Sequence, residues 1–162
     1  GNEMWTWNPK INRLIKLPPS MLAQGWMGSD YTNDDILKES SIVKDYQHEV
    51  INMEQYEGLQ CWVVEMTPKA DAAVVWGKIV RHIAKEKYFI MKEKYYNEEG
   101  ELIKSHLNSD IKKMDDREIP TKTVVQQADE PDKKTIVYID KIDFNVTLKD
   151  RFFSQQNMKR IR

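Results

Sequence analysis

Apolar and polar residues trade places at every second position along most of this chain, and that alternation limits the fold more than any other feature. In "LQCWVVEMTPK", Trp62, Val64 and Met66 fall on one side, while Cys61, Val63, Glu65 and Thr67 fall on the other. A period of two belongs to an extended strand, whose successive side chains point to opposite faces. The same period runs through "EMWTWNPKINRLIKLPP", which reads as two short strands around Asn8-Pro9-Lys10, ended by Pro18-Pro19. It continues in "KDYQHEVINME", "VWGKIVRHIA", "KYFIMKEKYYN", "ELIKSHLNSDIKKM", "REIPTKTVVQQ" and "KKTIVYIDKIDFNV". In the last of these Ile136, Tyr138, Ile142 and Phe144 are in step. About nine strands joined by short polar links predict an antiparallel sheet of up-and-down type.

One segment breaks the pattern. "YTNDDILKES" predicts a helix: Thr32 or Asn33 can cap it, Asp34 and Asp35 favour its N-terminal dipole, and Ile36 and Leu37 face inward. A helical turn at "LKDRFFS" and a basic tail close the chain. With 162 residues and no repeat, linker or low-complexity stretch, residues 1–162 read as one domain with a useful core.

Several function classes are disfavoured at this level. The net charge of −1 creates no field that would gather nucleic acid, and no basic stripe carries interleaved aromatics. No run approaches the roughly eighteen apolar residues that a spanning helix needs. Cys61, the single cysteine, rules out an internal disulfide framework. His48, His82 and His106 lie on separate strands with no metal-ligand spacing, Cys61 lacks a CxxC partner, and no GxSxG or phosphate-cradling glycine loop occurs. Asp115-Asp116 and Glu98-Glu99 read as solvated turns. The expectation is a non-enzyme with neither cofactor nor metal.

Aromatics on both faces of "KYFIMKEKYY" leave two readings open. One face lines a cavity or supports a lid, or both faces pack in the ordinary way. Five tryptophans, seven tyrosines and eight methionines suit either a thick β-core or a surface that adapts to greasy ligands. "GWMG" sharpens the question, because Trp26 and Met27 stand between Gly25 and Gly28 just before the helix. They form either a movable flap or an anchor of the helix on the sheet.

Five stretches, in this order, carry a resemblance: "MWTWNPKINRLIKLP", "GWMGSDYTNDDI", "YEGLQCWVVEMTPK", "IPTKTVVQ" and "LKDRFFSQQNM". Together they resemble the outer-membrane lipoprotein-sorting protein-like domain, of the superfamily of the periplasmic carriers LolA and LolB. The most specific pieces are "WMGSDYTNDD" and the strand bearing Gly58, Cys61, Trp62, Glu65, Pro68 and Lys69.

The resemblance implies a mainly β fold, a strongly curved antiparallel sheet forming an incomplete barrel, with one or two short lid helices. Its apolar hollow would hold a lipid or lipoprotein acyl chain in the periplasm. The wall candidates are Trp5, Trp7, Trp62, Val64, Met66, Phe89 and Met91, with Trp26 and Met27 at the lid. An alternative is an envelope interaction module, on the same scaffold, for a lipoprotein or transporter. One departure stands out: the family carries a helix and strands before the "MWTW" position. The chain is therefore expected to lack an N-terminal portion of the barrel wall, and any signal peptide to be removed or to lie outside this sequence.

Overall fold

The structure, a computed structural model, describes residues 4–21, 24–38, 42–72 and 74–160. Two strands, β1 (Trp5–Asn8) and β2 (Arg13–Lys16), pair as a small hairpin with Trp5 opposite Lys16 and Trp7 opposite Leu14. Seven further strands form one antiparallel sheet in strict sequence order. They are β3 (Tyr46–Tyr56), β4 (Leu59–Pro68), β5 (Lys78–Ala84), β6 (Ile90–Tyr96), β7 (Leu102–Met114), β8 (Arg117–Gln127) and β9 (Thr135–Tyr138). β3 and β9 are its edges and do not meet, so the sheet is an unclosed barrel. The up-and-down order is what short polar links between alternating segments dictate.

β9 is shorter than the alternation predicts. Pairing with β8 ends at Tyr138, and Ile142 and Phe144 lie beyond the strand. In the β7–β8 ribbon Asp110 and Thr121 face each other between the Ser109–Lys122 and Ile111–Pro120 pairs without a change of register; Asp110 has φ 56°, and its carbonyl accepts the Thr121 hydroxyl at 2.6 Å. The chain still runs back to the ribbon tip, where the Asp115 carboxylate accepts the Phe144 N–H at 3.0 Å.

The α-helices among the described residues are short: α1 (Asn33–Lys38), α2 (Ile42–Asp45) and α3 (Gln155–Met158). Of these the sequence reading anticipated α1, and the helical turn it placed at "LKDRFFS" is a 3₁₀ turn at Asp150–Phe153; α2 and α3 are single turns, with too few residues to show a 3.6 period. α1 starts in a reciprocal cap. The Asp35 N–H donates to the Thr32 hydroxyl at 3.1 Å, and the Thr32 N–H donates to the Asp35 carboxylate at 2.7 Å.

The core divides in two. Ile42, Tyr46, Met66, Ile79 and Tyr95 form one buried cluster, with Val64, Val74 and Trp76 packed against it. Cys61, Ala84 and Met91 form the other, beside Tyr56, Leu59 and Phe89. Burial pushes the Cys61 thiol up, which suits packing and disfavours a reactive thiolate.

Candidate binding cavity

The register builds the site. Across the face that carries Trp62, Val64 and Met66, one row reads Met66–Ile79–Tyr95–Lys104 from β4 to β7. The next reads Val64–Arg81–Glu93–His106–Val125 from β4 to β8. An apolar row thus ends on a cation, and beside it a row of ionisable groups lies under cover.

The segment before β3 supplies the cover. Trp26–Gly28 is a 3₁₀ turn, closed by the Trp26 N–H donating to the Tyr31 carbonyl at 2.5 Å and the Ser29 N–H to the Trp26 carbonyl at 3.0 Å. Asp30 then ties the turn to the sheet. Its N–H donates to the Thr135 hydroxyl at 3.0 Å, that hydroxyl donates to the Asp30 carboxylate at 2.5 Å, and Gln127 donates to the Asp30 carbonyl at 3.2 Å. The glycines frame this turn for separate reasons. A Cβ on Gly25 would meet the Ser29 carbonyl oxygen at 2.9 Å, whereas Gly28 takes φ +74°. Met27, also left-handed at φ 52°, is 86% exposed, and Trp26 is half-buried.

α1 turns its acids inward. Asn33 and Asp34 are buried, and Asn33 donates to the Met21 carbonyl at 2.9 Å. Ile36, expected to face inward, borders the cavity yet remains 46% exposed. Asp35 takes the Lys104 ammonium in an ion pair, and Lys104 is 1% exposed. That ammonium also lies over Trp76 at 4.9 Å and Tyr95 at 5.1 Å, a cation–π arrangement strengthened by desolvation. Burial pulls the Lys104 pKa down, against the Asp35 charge and hydrogen bond that hold it up.

On the neighbouring row Arg81 donates to Glu93 at 2.5 Å, and His106 Nδ1 lies 3.5 Å from the other Glu93 oxygen. Burial raises the Glu93 pKa, but the His106 contact and the Arg81 charge outweigh it and hold the carboxyl below its ordinary range. The His106 ring also lies between Tyr31 and Tyr95, with ring centres 5.2 and 5.0 Å away and planes tilted by 58° and 54°. Tyr46 donates to the Trp76 carbonyl at 3.1 Å, and burial pushes its phenol up to about 12.

Between cover and sheet lies a cavity of about 270 Å³. Tyr31, Asp34, Ile42, Trp76 and His106 are among its walls. Ligand sites usually start near about 300 Å³, so this is a small one, and it mixes apolar with ionisable groups.

The sequence-derived candidates are dispersed. Met66 and Val64 belong to the cluster beside the cavity, and Trp62, on the same face, packs on Tyr88 with ring centres 5.8 Å apart. Trp26 and Met27 sit in the covering turn. Trp5 and Trp7 are on the separate hairpin, where Lys159 lies over Trp7 at 5.5 Å. Phe89 and Met91 belong to the second core cluster. None of the nine borders the cavity itself. Lys104, Glu93, His106, Arg81 and Trp76 were missed, because only the cross-strand register shows that they meet.

An open seven-stranded antiparallel sheet with one face under short helices is the LolA-like fold, and solved structures agree. A domain assigned to the outer-membrane lipoprotein-sorting proteins of Vibrio parahaemolyticus matches with a TM-score of 0.83 at 20% identity, over 97% of this chain and 66% of that one. A DUF1329 family protein from Desulfovibrio piger matches at 0.81 and 23% identity, over 96% and 64%. A LolA superfamily protein from Nitrosomonas europaea matches at 0.70 and 21%, over 97% and 68%. The chain thus spans about two thirds of the length of these structures. Residues 1–160 match a protein family whose description reads "uncharacterized protein", and the chain belongs to that family. No curated protein matches.

Proposed function

We propose that this chain, acting as one domain over residues 1–162, is a non-catalytic carrier in the bacterial periplasm. It would shelter a lipid or a lipoprotein acyl chain between the sheet and the cover that residues 24–38 and 42–45 supply. The observation that carries the reading is the placement of the cavity, between a cover held by a handful of polar ties and a sheet face that continues apolar through Met66, Val64 and Trp62. The fold it shares with a lipoprotein-sorting domain supports the same reading.

The cavity as it stands is too small for a long chain, so transport requires the cover to lift. Burying a methylene contributes about 0.8 kcal/mol, so a dozen would give on the order of 10 kcal/mol before ordering costs. Against this, a neutral hydrogen bond such as those of the Asp30 backbone contributes about 0.5–1.5 kcal/mol net, and one to a carboxylate, such as Thr135 to Asp30, about 1.5–3 kcal/mol. The ligand gain is thus of the same order as the cost of parting these ties, which would make opening depend on the ligand. Trp62, Val64 and Met66 would then form the enlarged wall, with Trp26 and Met27 at its rim.

Energy transfer from tryptophan to a dansyl-labelled fatty acid tests this. Saturable transfer, competed by unlabelled fatty acid, is expected. No transfer at any concentration would refute the carrier.

A second reading rests on the open edge. Val50, Ile51 and Met53 on β3 are 61%, 49% and 48% exposed beside unpaired backbone. Such an edge suits strand addition by an envelope lipoprotein or transporter.

A further inference from the structure

His106 is buried to 7% exposure and borders the cavity, yet its Nε2 has no hydrogen-bond partner among the described residues. A buried polar atom left without a partner is costly, and in a folded protein such an atom calls for an explanation. The other ring nitrogen is turned to Glu93, which fixes Nε2 as the atom available to a ligand.

We propose that His106 Nε2 receives the carboxylic acid head of a medium-chain fatty acid whose tail lies among Ile42, Val74 and Trp76. This rests on the carrier reading above and specifies the ligand head that the same cavity selects.

Charge narrows the head group. Three carboxyl groups, Asp34, Asp35 and Glu93, and two cations, Arg81 and Lys104, surround the site from α1, β5, β6 and β7; the phenols of Tyr31 and Tyr95 flank the ring. With three carboxyl groups facing two cations, a bare carboxylate would raise the excess of negative charge from one to two. A carboxylic acid brings its own proton, which rests on the acid as O–H···N or on the imidazole as N–H···O, with the same total charge.

A second donor fits the other oxygen. Asn108 borders the same cavity two residues further along β7, about 6.7 Å on. Its amide spends one N–H on the Ile90 carbonyl at 2.9 Å, and its oxygen accepts the Thr123 hydroxyl at 2.7 Å. An amide nitrogen carries two hydrogens, so one N–H is left for the carbonyl of a carboxyl group. An ester offers no proton to Nε2, and an alcohol offers no carbonyl to Asn108.

The test compares octanoic acid, methyl octanoate and 1-octanol by calorimetry on the wild-type chain and on His106→Phe. The proposal predicts at least tenfold tighter binding of the acid than of ester or alcohol, a preference lost in His106→Phe and partly restored in His106→Gln. In the unmodified protein the His106 Nε2 nitrogen resonance should shift with octanoic acid and stay in place with the ester. Equal affinities for the three ligands, or an unmoved resonance under saturating acid, would overturn the subsite while leaving the carrier standing. Failure of all three to bind would overturn the carrier reading and this inference with it.

Discussion

The ammonium of Lys104 on β7 pairs with the carboxylate of Asp35 on α1, residues 69 apart in sequence, at a position where Lys104 is 1% exposed. Asp35 serves two masters, since it also caps its own helix through Thr32. The pair is therefore where cover and sheet depend on each other.

Lys104→Met leaves the Asp35 charge buried without its partner, and should destabilise the fold by about 3–5 kcal/mol in urea unfolding. Lys104→Met combined with Asp35→Asn keeps an oxygen for the Thr32 cap and removes the stranded charge. The double variant should recover most of that loss. Additive losses would show that the two side chains do not interact.

Glu93 sets an acid limit. Its folded pKa is held below the ordinary 4.5, so between the two values the unfolded chain binds more protons than the folded one. Its contribution to stability is complete above the ordinary value and is lost as pH falls through the lowered one. Thermal melts should decline in that window, and Glu93→Gln should flatten the decline while lowering the melting temperature at neutral pH.

Thr135→Val removes both hydrogen bonds between Asp30 and β9. The expected loss is about 1–3 kcal/mol. Amide exchange should quicken in residues 24–38 and remain slow in β4 and β5, the behaviour of a cover loosened on an intact sheet.

Trp26→Ala should weaken binding of a fluorescent fatty acid more than it lowers the melting temperature, because Trp26 is only half-buried and sits in the covering turn. Undiminished binding by the variant would remove Trp26 from the lid.

The strands were legible because a period of two survives in the sequence whatever the partner strand. The end of β9 was not, since it depends on where pairing with β8 stops, which no residue of β9 encodes. α1 announced itself through Thr32 and its acids, but the direction in which those acids point depends on Lys104, far along the chain. "KSHLN" does place Lys104, His106 and Asn108 on one face. Nothing local says that the face is covered, and lysine is ordinarily a solvated residue. The tryptophans and methionines advertised burial, yet only Met66 and Met91 of them are buried in the core, one in each cluster, while Met27 is 86% exposed. The ionisable row is thus a product of register, which no single segment encodes.

The account stands on a cover that parts from the sheet to admit a hydrocarbon chain. Native mass spectrometry of the protein purified under mild conditions, before and after organic extraction, measures this most directly. The account predicts adducts at the masses of acyl species that extraction removes and added fatty acid restores. A single unliganded mass that added fatty acid leaves unchanged would contradict it.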